Sequence, residues 1–106
     1  SRIKAIDKQG KAIVELLRAA ERVYRIELGQ YYPTSGSVTN IADINNYLNL
    51  DLVSDGKWSY RIDGTGGVFL ANMTTSLGSG GSHSWWLNST MDNGSCQSTN
   101  PNAPCS

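Results

Sequence analysis

The chain has 106 residues, with one histidine, two cysteines and no lysine or arginine after Arg61. Nine basic and nine acidic residues leave no net charge. That balance argues against nucleic acid as a partner, because phosphate binding needs a basic surface. No run of about 18 apolar residues occurs, so no stretch reads as a membrane span. No signal-peptide apolar region occurs either. The chain starts at Ser1 within a helical pattern and without a Met. It therefore reads as cut from a longer protein.

What is present fits one α+β domain, with 39% hydrophobic residues and 17% charged. Residues 1–30 carry seven of the nine basic residues and four of the nine acidic ones. The remainder is weakly acidic, which gives a basic stem and an acidic head. Two solvated faces would explain this, and so would neighbouring copies packing stem to head.

The stem reads as one long helix over about residues 3–29. Ile3, Ile6, Gly10, Ile13, Leu17, Ala20 and Tyr24 recur at spacings of three and four, and Leu16 and Val23 widen that stripe. Asp7 with Lys11 and Glu21 with Arg25 read as solvent-side i, i+4 pairs. Gly10 within the stripe leaves room for another backbone. Gly29 and Pro33 end the helix. At ~1.5 Å per residue such a helix is roughly 40 Å long, more than the width of a domain this size. Its first turns should project or be covered by a partner.

Residues 31–56 read as a loop holding a short helix, Ile41–Leu48, capped by Asn40 with Asp43 in its first turn. Residues 57–106 read as antiparallel strands and a tail. Trp58, Tyr60 and Ile62 alternate on one face, Asp63–Gly67 makes a turn, and Val68–Thr74 returns as the second hairpin strand. Residues 77–82 form a Gly/Ser loop, and Ser84–Thr90 a third strand. One long helix on a three- to four-stranded antiparallel sheet is the expected packing.

Cys96 and Cys105 are not a Cys-x-x-Cys, and no nearby His or further Cys suggests zinc. A disulfide would close a small loop, contribute roughly 2–3 kcal/mol and imply an oxidising compartment. The alternative is two unrelated thiols.

No constellation points to catalysis, and no cofactor is implied. His83 lies in Gly/Ser surroundings and reads as a solvated loop residue. Gly64–Gly67 lacks the Lys-Ser/Thr of a phosphate loop. Asp92-Asn93-Gly94 reads as a turn rather than a metal site. Trp85 and Trp86 must point to opposite faces of a strand, so one of them is a candidate contact for a surface ligand such as a sugar. Sequons occur at Asn72, Asn88 and Asn93.

The order of parts carries a resemblance. An amphipathic helix runs into Glu27-Leu28-Gly29-Gln30-Tyr31-Tyr32-Pro33. A short helix, a Trp58-Ser59-Tyr60-Arg61-Ile62 strand, further strands and a C-terminal Cys96/Cys105 pair follow. This resembles the soluble domain of type IV pilins and type II secretion pseudopilins. The resemblance implies a methylated, apolar helix half of about 25 residues ahead of Ser1, serving as an inner-membrane anchor. It implies a structural subunit of an extracellular bacterial filament, self-assembling with the help of inner-membrane machinery. Ile3, Ile6, Gly10, Ile13 and Leu17 would then be the assembly face of the helix. The Cys pair favours a pilin over a pseudopilin. A secreted carbohydrate- or surface-binding adhesin module is a further alternative.

Overall fold

A computed structural model describes residues 2–53, 58–76, 82–99 and 105, with the side chains of 2–6, 76 and 82 left aside. The fold is α+β: a long helix, a short helix and a five-stranded antiparallel sheet.

Helix α1 spans Arg2–Leu28. Gly29 stops it by taking φ 79° while its N–H still reaches the Arg25 carbonyl at 2.7 Å. At ~1.5 Å per residue the helix matches the 41 Å long axis of the molecule. Helix α2 is Ile41–Leu48, as expected. The Asn40 side chain accepts from the N–H groups of Ala42 (2.8 Å) and Asp43 (3.2 Å), and Asn49 closes the other end in the left-handed region. Asn45 brackets the following Leu52 by accepting its N–H and donating to its carbonyl.

The strands are β1 (Gly36–Val38), β2 (Ser59–Thr65), β3 (Val68–Ser76), β4 (Ser82–Asn88) and β5 (Ser95–Ser98), in that order across the sheet. Gly66 and Gly67, both at positive φ, form the two-residue turn that pairs Thr65 with Val68. The sheet thus has five strands where the sequence suggests three or four. The added ones, β1 and β5, are short edge strands made of Gly, Ser, Val, Cys and Gln. Apart from Val38 these residues carry little strand preference, and pairing with β2 and β4 supplies what propensity does not. β1 is fastened further by Ser37, whose hydroxyl donates to the Asp63 carboxylate beside Arg61. That bond holds the Asp63 carboxyl below its usual range.

Register places Tyr60, Met73, Trp85 and Cys96 in one row, and Ile62, Ala71 and Leu87 in the next. These inward residues meet Val14 and Leu17 of α1 and Ile44 and Leu48 of α2. Gly64 is where β2 passes beneath the Tyr31–Pro33 turn: a Cβ there would strike the Pro33 carbonyl. Tyr31 packs edge-on against Phe69, and Tyr32 stacks on Tyr47, so the turn after α1 is buried beneath aromatic rings.

Candidate functional site

α1 has one buried side and, opposite it, an exposed apolar stripe. Asp7, Gly10, Val14, Leu17 and Glu21 are buried against the sheet. Their spacing of three and four residues keeps them on one face. Ala12, Leu16, Ala19, Val23 and Ile26 are exposed and follow the same spacing, within an arc of about 80° on the opposite side. Leu16, Val23 and Ile26 retain 46%, 54% and 84% of their surface. Ala12 and Leu16 also border a shallow groove with Leu52 and Val53.

The buried face differs from the stripe expected from sequence. Gly10 and Leu17 lie inside the chain's own core, and Ile13 sits at its margin. A Cβ on Gly10 would come within 2.6 Å of Trp58 and 2.7 Å of Trp85. The close approach at Gly10 is therefore made by two indole rings, not by a neighbouring backbone. The side chains of Ile3 and Ile6 lie outside the described residues. Leu16 and Val23 do not widen the buried stripe; they belong to its opposite. The reason is two buried acids. Hydropathy assigns Asp7 and Glu21 to solvent, which turns the inferred face toward the aliphatic residues beside them.

Each acid has a specific setting. Asp7 Oδ1 lies 2.5 Å from His83 Nε2 and accepts the Trp85 indole N–H at 3.0 Å. The Cys96 sulfur is 3.4 Å from His83 Nε2 and 3.8 Å from Asp7 Oδ1, and it is bonded to Cys105. His83 is fully buried in β4, which corrects its reading as a solvated loop residue. Its inward phase with Trp85 and Leu87 was the available signal. The expected disulfide is present.

At the far end of α1, Glu21 Oε1 accepts the Tyr32 N–H at 2.8 Å. Its second oxygen is buried with no partner among the described residues. Burial raises the Glu21 carboxyl from 4.5 to about 7, opposed by the Tyr32 N–H.

The buried cluster does not have the layout of a nucleophilic relay. A Cys–His–Asp relay needs the acid on one ring nitrogen and the sulfur on the other. Here Asp7 and Cys96 both face Nε2.

Trp85 is only 3% exposed, which removes it as a surface contact. Trp86 is half-buried on the outer sheet face, in a row with Arg61, Asn72 and Ser95. Around the Asp92–Gly94 turn, Arg18 donates to the Met91 carbonyl, and Glu15 accepts the Gly94 N–H at 2.8 Å. Those bonds give the turn a role in holding β5 to α1.

In comparisons with protein-family models, curated proteins and solved structures, the chain matches none.

Proposed function

We propose that this chain is a structural subunit of a bacterial type IV pilus or related filament, packing through α1 against α1 of other copies. The observation that carries this reading is the outer stripe of α1. Ala12, Leu16, Ala19, Val23 and Ile26 set two small side chains among three larger apolar ones at the 4-3 spacing that suits a helix–helix seam. The inner face of the helix is already satisfied by the sheet, so the outer stripe is free to bury against a second helix. Alanines at 12 and 19 allow such helices to approach within roughly 8–10 Å. Where the stripe meets a different stretch of the next copy's α1, displaced along the helix, the contact does not close on itself and propagates as a helical array. The basic helix and weakly acidic remainder give neighbours opposite signs, which favours a fixed register. A subunit of this kind reaches the cell exterior after an inner-membrane stage, which agrees with its disulfide.

The test is Leu16→Asp or Val23→Asp in the source cells, with filaments sheared from the surface and the native subunit weighed intact. The isolated domain should keep its stability within about 0.5 kcal/mol, because both sites are exposed. The sheared fraction should lose its filaments. Normal filaments from both variants would defeat the reading. Native protein found only in membranes would move the chain to the pseudopilins. A freely secreted monomer would favour a binding module, with the Trp86 face as its first candidate surface.

A further inference from the structure

We propose that Asp7, His83, Cys96 and Cys105 form a tetrahedral zinc site when the disulfide is reduced. The site is independent of filament assembly and lies on the opposite side of α1 from the outer stripe.

The arrangement that rules out a catalytic relay is the one a cation needs. His83 Nε2, Asp7 Oδ1 and the Cys96 sulfur come from β4, α1 and β5 and face one another across a single small space. The Cys105 sulfur lies within 4.8 Å of the ligand atoms of His83 and Cys96 but not of Asp7; once freed from Cys96 it would turn toward Asp7 to become the fourth ligand. Zinc with bonds of ~2.3 Å to sulfur and ~2.0–2.2 Å to nitrogen or oxygen holds tetrahedral ligands about 3.3–3.8 Å apart. The Cys96–His83 and Cys96–Asp7 separations, 3.4 and 3.8 Å, already stand at those values. The two sulfurs, bonded to each other in the oxidised protein, must part to about 3.8 Å on reduction, and the His83–Asp7 pair must widen by roughly 0.8 Å.

Two thiolates, an imidazole and a carboxylate are a zinc set rather than a calcium or magnesium set. The Trp85 indole N–H already donates to the Asp7 oxygen that would bind the metal, which is the usual outer-shell support for a ligating carboxylate. Cys105 is exposed and gives the ion a way in. Gly10 lets both Trp58 and Trp85 close over the helix beside the site.

The chemistry balances with a dithiol reductant. The dithiol transfers two electrons and two protons to the Cys96–Cys105 bond and becomes a cyclic disulfide. Zinc then displaces the two thiol protons to solvent, and His83 carries its remaining proton on Nδ1 so that Nε2 can bind. In the oxidised protein the sulfurs offer no thiolate, so the site is gated by redox state.

The experiment reduces the full chain anaerobically with a dithiol, removes the reductant, and titrates with Co²⁺ and then Zn²⁺. One equivalent of Co²⁺ should give intense tetrahedral d–d absorption with thiolate charge transfer, both bleached by zinc. The oxidised protein should give neither. Asp7→Asn and His83→Ala should weaken binding at least ~10-fold. Because both residues are buried, Cys105→Ser is the companion variant: its side chain is exposed, and it should halve the charge-transfer band and weaken binding similarly. A colourless reduced protein, a weak octahedral spectrum, equal binding by oxidised protein, or unchanged affinity in Cys105→Ser would overturn the proposal.

Discussion

Asp7 and Glu21 sit four turns apart on the same face of the same helix, both buried, yet they meet opposite surroundings. Asp7 has an imidazole and an indole N–H on one oxygen. Glu21 has a single backbone N–H and a second oxygen with no partner among the described residues. A buried carboxylate without a matching charge is driven toward its neutral form, and Glu21 accordingly holds its proton up to about pH 7. One end of the helix is therefore a polar tie between three elements. The other is an acid that folding partly neutralises.

The strongest way to break this contrast is Asp7→Ala. It strips His83 and Trp85 of a shared acceptor in a dry site, and should cost about 3–5 kcal/mol in urea unfolding at neutral pH. A cost below ~1 kcal/mol would mean that the tie is only incidental to packing. Next is Glu21→Gln. The native carboxyl titrates above its unfolded value, so the folded state holds an extra proton between about pH 4.5 and 7. Stability should therefore fall as pH rises through that window, by about 2–3 kcal/mol in all. The glutamine variant should show a flat profile there, and an unchanged slope would place the pH dependence elsewhere. The smallest change is Trp85→Phe. It keeps the ring but removes the N–H to Asp7, for about 1–2 kcal/mol measured in the same denaturant series.

Much of the frame was legible because local rules and the final packing agree. Asn40 and the Ile41–Leu48 periodicity marked α2 at its true bounds, and the paired glycines at 66 and 67 marked the hairpin turn. β1 and β5 were hidden because their strand character is conferred by neighbours, not by their own side chains. The orientation of α1 is hidden from the sequence for a different reason. Hydropathy charges a fixed penalty for an acid, whereas burial of Asp7 depends on partners 76 and 78 residues later. The lone histidine and the first acid of the helix could be connected only by the fold.

That separation bears on the order in which the molecule can be completed. α1 precedes the sheet, but what secures its inner face follows roughly 70–80 residues later: His83 and Trp85 at Asp7, Met91 at Arg18, and Gly94 at Glu15 and Val14. A chain delivered from its N-terminus carries an exposed two-sided amphipathic helix until β4 and β5 follow. Strand β5 then works as a latch on a helix made well before it. A product shortened before residue 83 would carry every residue of the helix and lack all of this fastening, a natural mark by which quality control tells finished subunits from unfinished ones.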